Sequence, residues 1–544
     1  MAKTPWNLAD IFEAVAQRVP DRPALVHGEH VVTWRQLDRR ANALAADFID
    51  AGLTHQSKVA CFLYNCAEYL ETVHAALKVA MVPVNTNYRY GPEEVAYLFD
   101  NADAEAVVVD ASFIHIVEAV RTQLPKVRRW YVVGAEPGAE PSWATRYEAV
   151  VDAGADAPPV TAWGRSGDDL VLLYTGGTTG MPKGVMWRQD DFFNVLGAGG
   201  HSIVGRPPAS DLDELASRLR PNTPGPVALI ACPLMHGTGL NSALKAQAAG
   251  GTIVTLCSRR FDVDEMFATV ERQRVTDLII VGQAFAAPML ETLEANPDRY
   301  DLSSLVVIVS SGVMWSQPNK EGLLRHIPQV LLFDAYGSSE AIGLGGSVSS
   351  AKGTELTATF ALGANAAVFT EDGRRVEPGS GEQGLVAVGG FIPVGYWKDD
   401  AKTAATFRIF EGRRWSVPGD WATVNHDGTL NLLGRGSACI NTGGEKVFPE
   451  EVEEVLKMHP LIRDAVAVGI PDERFGESIC AVVEVEPGAQ LSLADVSEHV
   501  RSKLAAYKAP RHLVIVDTIG RAPSGKIDFK MVKRTAVERC GAPQ

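Results

Sequence analysis

Short apolar runs rich in β-branched residues alternate along most of this 544-residue chain with stretches whose apolar positions recur at helical spacing. Leu8, Ile11, Phe12, Val15 and Val19 form the first helical pattern, and Leu37, Ala41, Leu44 and Phe48 the second. Residues 58–63, 82–84 and 104–109 are the early apolar runs, followed by 227–231, 252–256, 277–281 and 305–309. Runs this short and this rich in Val and Ile suit strands covered on both faces. Strands alternating with helices predict an α/β fold whose sheets are largely parallel.

The pattern also divides the chain. Residues 1–434 read as one large domain of two α/β subdomains plus a small β subdomain. Its last part, from about 360 to 434, carries recurrent Gly and Pro among short strands such as 384–389 and 428–433. Residues 191–226 break the alternation with Gly and Pro clusters around a short helical piece at 212–219, and read as an insertion over the nucleotide or substrate site rather than a core element. Residues 435–544 read as a small mobile α+β domain: helix 450–458, strands 464–470 and 478–486, helix 493–504 and strand 512–517.

Composition removes several function classes. A net charge of −15 with no basic run argues against nucleic acid as a partner. No stretch of about 18 apolar residues exists to span a membrane, and the N-terminus has no signal-type apolar core. Peripheral membrane contact and a homodimer both stay open. The seven cysteines are scattered without metal spacing, which predicts free thiols in a reducing cytoplasm.

Chemistry concentrates after the apolar run 170–173. Residues 174–185 read Tyr-Thr-Gly-Gly-Thr-Thr-Gly-Met-Pro-Lys-Gly-Val. A strand emptying into a loop of glycines, threonines and a lysine is a phosphate cradle: bare backbone N–H groups approach the anion, hydroxyls add donors, and Lys183 adds a charge. Pro182 before Lys183 and Gly184 after it exclude a Walker loop.

This segment resembles the signature loop of the adenylate-forming superfamily of acyl-CoA synthetases, adenylation domains and luciferases, with Gly176-Gly177 where Ser-Gly is commoner. Further segments match the same superfamily in order over essentially the whole chain. Asp334–Glu340, reading Asp-Ala-Tyr-Gly-Ser-Ser-Glu, resembles its Tyr-Gly-x-Thr-Glu motif, with Ser339 in place of Thr. There Tyr336 offers a flat face to adenine, Asp334 accepts from the exocyclic amine, Gly337 turns under the α-phosphate, and Glu340 is an oxygen ligand suited to Mg²⁺. Asp420 stands where the family reads both ribose hydroxyls, and Arg435 where it holds the ribose. Ser437 falls at the hinge position, commonly Asp or Lys. Gly443, Gly444 and Glu445 match the CoA-side segment, and Lys526 matches the catalytic lysine of the C-terminal loop.

The resemblance implies ATP, Mg²⁺ and CoA as co-substrates and cofactor, and two half-reactions: adenylation of a carboxylate, then transfer to the thiol. The ATP set it implies comprises Thr175, Gly176, Gly177, Thr178, Thr179, Gly180, Lys183, Ser311, Gly312, Asp334, Ala335, Tyr336, Gly337, Ser338, Ser339, Asp420, Arg435 and Lys526. Glu340, Lys183 and Lys526 are its catalytic candidates. Pocket-matching positions carry small or apolar residues: Gly237, Thr238, Gly239, Gly282, Ser310 and Ile342, with His236 as wall and gate. Small walls leave volume for a bulky or long acid. Several segments look most like the actinobacterial fatty-acyl and steroid-side-chain CoA ligases. An aryl-alkanoate ligase, or an adenylating enzyme that does not use CoA, is the alternative.

Overall fold

The computed structural model describes residues 5–177, 180–201, 205–313, 315–354, 358–435, 440–442, 445–472, 476–504, 506–521 and 527–540. Three sheets organise it. An 8-stranded sheet runs in the order Gly395–Tyr396, Gly180–Arg188, Leu170–Gly177, Val82–Asn85, Lys58–Phe62, Ala104–Asp110, Arg129–Val133, Thr145–Arg146. A 15-stranded sheet begins with His30–Thr33, Pro23–His27, Thr252–Thr255, Val227–Ile230, Asp277–Ile280, Val307–Ser311 and Leu331–Ser338. From Pro23–His27 onward that stretch is parallel throughout, as the buried Val/Ile runs predict.

The strands between residues 341 and 435 are antiparallel, as expected of the Gly- and Pro-rich region. They continue the large sheet without a break through Ala341–Ser349, Thr359–Leu362, Thr429–Arg435 and Asp420–Val424. Phe369, Leu385, Trp415 and Val417 give this end a small core of its own.

One apolar core joins the two large sheets. It contains Val59 and Val171 from one and Leu229 and Ile279 from the other, with Ile11, Phe12, Leu44 and Leu244 of the intervening helices. Burying each such side chain contributes about 1.5–3 kcal/mol, so the helices are held by packing more than by propensity. Local signals still set their ends. Helix Trp34–Asp50 starts at Thr33, whose hydroxyl accepts from Gln36 N (3.2 Å) while Gln36 accepts from Thr33 N (2.8 Å).

The small C-terminal domain builds a 5-stranded sheet around Ile462–Asp472 and Gly476–Val485, with helices Pro449–Lys457 and Leu493–Arg501. A further helix, Phe529–Cys540, buries Val532 and Ala536. Among the described residues, no helix is long and apolar enough to cross a membrane. The six described cysteines are free thiols.

The 191–226 stretch departs from expectation. Leu215 and Leu219 are buried, and helix Leu212–Arg218 packs on helix Leu8–Arg18. Arg22 donates to the carbonyls of Arg220 (3.0 Å), Thr223 (2.7 Å) and Gly250 (2.7 Å). The later half of the insertion is thus fastened to the N-terminal helix. Gly and Pro frequency identified the irregular backbone but not what it packs against.

Candidate active site

In an open α/β sheet the C-terminal ends of parallel strands converge on one edge, where ligands bind. Here strands Val227–Ile230, Asp277–Ile280, Val307–Ser311 and Leu331–Ser338 end together, which brings the 231–239 loop, Gly282, Ser310–Gly312 and Asp334–Glu340 to that edge. The register pairs Ser310 with Asp334 and Ser311 with Ala335. Ser310 Oγ accepts from Gly282 N at 2.8 Å, locking two of the loops together. His236 occupies the N-cap position of helix Gly237–Ala248 without capping it through its side chain, and is half-buried. Gly239 allows a close backbone approach, since a Cβ there would lie 2.5 Å from Pro233 O.

Each charged member of Asp334–Glu340 is held by a distant element. Tyr336 packs its ring on Phe360 (centroids 5.2 Å apart, 29° between planes) and donates its hydroxyl to Asp420 Oδ2 at 3.1 Å. Asp420 is buried and paired in register with Arg435 across adjacent strands. Glu340 Oε1 accepts from the Tyr396 hydroxyl at 2.8 Å, and its carbonyl accepts from Ser416 Oγ at 2.6 Å. Ser339 O accepts from Trp187 Nε1 at 2.9 Å. Ser338 Oγ is buried without a hydrogen-bond partner, an orphaned hydroxyl at the strand end. A Cβ on Gly337 would come within 2.9 Å of Ala341 O, so glycine permits this turn. Ile342 is half-buried just beyond it.

Asp334 is the most perturbed acid of the site. Burial raises its pKa to about 6, opposed by the Lys320 ammonium 3.2 Å away and reinforced by Glu454 of the C-terminal domain. Burial is the larger effect because the carboxylate is only 4% exposed.

On either side of residues 178 and 179 the phosphate-loop segment is paired strand. Strands Leu170–Gly177 and Gly180–Arg188 pair antiparallel with Thr175 opposite Lys183 and Gly177 opposite Gly180. The Tyr174 ring lies over Gly184, where a Cβ would come within 2.8 Å of it. Lys183 forms an ion pair with Asp399, and this ammonium holds the Asp399 carboxyl below the usual carboxylate range.

Polar residues that local pattern did not single out complete the frame. Asn85, buried at the end of an apolar strand, accepts from Tyr174 N (2.6 Å) and donates to Tyr174 O (2.9 Å) and Met235 O (2.6 Å). It ties this strand pair to the loop that carries His236. Lys320, Tyr396 and Asp399 act similarly on Asp334, Glu340 and Lys183. An Asn closing a Val-Pro-Val strand was the only local hint. Thr178, Thr179, Ser437, Gly443, Gly444 and Lys526 lie outside the described residues, and Gly176, Gly177, Gly180, Arg435 and Glu445 are described by backbone alone.

Residues 12–397 match the family of AMP-binding enzymes, and residues 451–526 match the AMP-binding enzyme C-terminal domain. The chain belongs to the AMP-binding enzyme family. A medium/long-chain-fatty-acid–CoA/3-oxocholest-4-en-26-oate–CoA ligase of Mycolicibacterium smegmatis is 39% identical over 98% of this chain and 97% of its own. A 3-oxocholest-4-en-26-oate–CoA ligase of Rhodococcus rhodochrous is 40% identical over 97% of this chain and 95% of its own. Among solved structures, an anthranilate CoA ligase in complex with anthranoyl-AMP superposes with a TM-score of 0.83 at 21% identity, covering 99% and 98% of the two chains. That likeness concerns the fold. This AMP-binding enzyme therefore has the large N-terminal and small C-terminal domain architecture of its family.

Proposed function

We propose that this enzyme is an AMP-forming acyl-CoA synthetase that converts a lipophilic acid, fatty or sterol-derived, to its CoA thioester. The observation that carries the reading is that Tyr336 bonds to Asp420 and Glu340 to Tyr396, whose strand pairs beside Lys183, at the sheet edge that also carries Gly282, Ser310 and Gly237–Gly239. In the first step a carboxylate oxygen attacks the α-phosphorus of ATP, forming the acyl–O–P bond as pyrophosphate leaves. In the second, the CoA sulfur attacks the acyl carbon after losing its proton, and AMP leaves with the bonding pair.

Each residue has a task in this scheme. Tyr336 stacks on adenine, Asp334 accepts from its amine, and Asp420 and Arg435 hold the ribose. Lys183 and the hydroxyls and amides of residues 175–180 hold the departing phosphates, with Ser311, Gly312 and Ala335–Ser339 around the nucleotide. Lys526 stabilises charge at the α-phosphate. The boundary near residue 434, with Ser437 as pivot and residues 443–445 on the CoA side, lets the small domain move between the two steps.

Glu340 suits Mg²⁺, which would neutralise phosphate charge. Among the described residues no group of three His, Cys, Asp or Glu could hold a metal. A lone carboxylate fits this ion, which keeps waters and phosphate oxygens as its other ligands.

Pyrophosphate release and thioester formation across an acid panel test the proposal. Activity is expected to be greatest with medium- to long-chain fatty acids and with a steroid carrying a side-chain carboxylate, and to require CoA for thioester. Adenylation confined to aryl-alkanoates, or no thioester with any lipophilic acid, would overturn it. A second outcome follows from Asp334. Its carboxylate is ionised above about pH 6 and protonated below it, so the stronger acceptor for the adenine amine is lost on acidification. KM for ATP is expected to rise as pH falls through 6, with KM for the acid unchanged between pH 6 and 7.

A further inference from the structure

We propose that Asp399 is a positioning residue: its carboxylate fixes the Lys183 ammonium in place before nucleotide arrives. The inference rests on the reading that Lys183 holds phosphate oxygens, and it adds the group that aims that lysine. Lysine is a compact charge on a flexible four-carbon stem, so a lysine in a glycine-rich strand pair has no intrinsic direction. Asp399 supplies one. Its Oδ2 pairs with Lys183, while Oδ1 accepts from Lys402 N at 2.9 Å and so caps helix Asp400–Thr406. Its carbonyl accepts from Thr403 Oγ1 at 2.8 Å, and the same hydroxyl accepts from Tyr396 N at 2.9 Å.

The clasp is seated on the lysine's own strand. Gly395–Tyr396 pairs with Met186 and Val185, and Trp397 N donates to Gly184 O at 2.8 Å, one residue from Lys183. Trp397 Nε1 donates to Asn101 O at 2.9 Å, anchoring the far side. Tyr396, three residues before Asp399, carries the hydroxyl that holds Glu340. One five-residue segment thus aims both charged groups of the phosphate end, and a fixed cation stabilises a developing anion without reorganising.

Asp399→Ser is the informative variant, because serine still caps the helix but is too short and uncharged to hold the ammonium. In nucleotide-free protein, acetylation of the Lys183 amine by a limiting amine-reactive reagent, read by peptide mass spectrometry against Lys402, is expected to speed up several-fold. In ATP–pyrophosphate exchange, Asp399→Ser is expected to lower kcat/KM for ATP about tenfold, the cost of ordering one long side chain. In a Lys183→Met background the same substitution is expected to change nothing further. Unchanged labelling, or losses that simply multiply in the double variant, would overturn the proposal and leave the acyl-CoA synthetase reading intact. Absence of exchange in the unsubstituted enzyme with every acid would remove that reading instead, while the labelling result still decides whether Asp399 holds Lys183.

Discussion

Replacing Lys526 with alanine is expected to slow acyl-adenylate formation by roughly 10²–10³-fold or more, the range for removing one aimed donor from a charged transition state. Transfer of the acyl group from supplied acyl-AMP to CoA is expected to stay near the unsubstituted rate. The asymmetry follows from what meets at the α-phosphate: in the first step an anionic carboxylate attacks it and the two negative groups need a cation between them, whereas in the second the sulfur attacks the acyl carbon of the adenylate and the phosphate only departs. The base of the lysine loop is well fixed. Arg521, five residues earlier, makes a bidentate pair with Asp464, Nη2–Oδ1 being 2.8 Å, with both side chains 12% exposed. Burial pushes the Asp464 pKa up, but Arg521 outweighs it and the carboxyl ends below its ordinary range. Pyrophosphate exchange and single-turnover thioesterification of acyl-AMP measure the two steps separately. Equal loss in both would refute the assignment.

Asp420→Ala is the second large effect, and it should fall on nucleotide binding. A buried carboxylate that accepts from both ribose hydroxyls contributes charge-assisted bonds of about 1.5–3 kcal/mol each. Losing both is expected to raise KM for ATP roughly 10²–10⁴-fold, with the bond from the Tyr336 hydroxyl lost as well. Tyr336→Phe isolates the last component. It keeps the ring on Phe360 and removes only the 3.1 Å bond, so a change of about three- to tenfold is expected. Calorimetric titration with ATP, alongside KM, would show whether the loss is in binding. A KM within threefold of the unsubstituted enzyme for Asp420→Ala would remove the ribose contact.

The parallel strands were legible because their signal is local. Runs 227–231, 252–256 and 277–281 appear as Val227–Ile230, Thr252–Thr255 and Asp277–Ile280, and burial on both faces explains their composition. Run 305–309 shifts to Val307–Ser311, because the strand continues into the serines at the site. The nucleotide motif was legible for the same reason: Asp334, Tyr336 and Glu340 lie within seven residues on one strand and its turn. What holds them was not. Tyr396 is 56 residues from Glu340, Ser339 is 152 from Trp187, and Lys183 is 216 from Asp399. Each partner is an ordinary polar residue whose meaning comes from the sheet that delivers it.

The helical piece of 191–226 was legible, but its share in the main core was not, for a related reason. Its Gly and Pro marked irregular backbone, but only the fold brings Arg22 to its carbonyls and buries Leu215.

The long sheet also has a consequence for biosynthesis. Strand Pro23–His27 lies parallel to Thr252–Thr255, and His27 meets Thr255 across 228 residues of intervening chain. At about 5–20 residues per second, the first strand emerges from the ribosome about 10–45 s before the one it must pair with. Its hairpin with His30–Thr33 satisfies one edge in the meantime. The other edge is an open row of amides on a nascent chain until Thr252–Thr255 has been made, so an early-made strand waits on a late-made one.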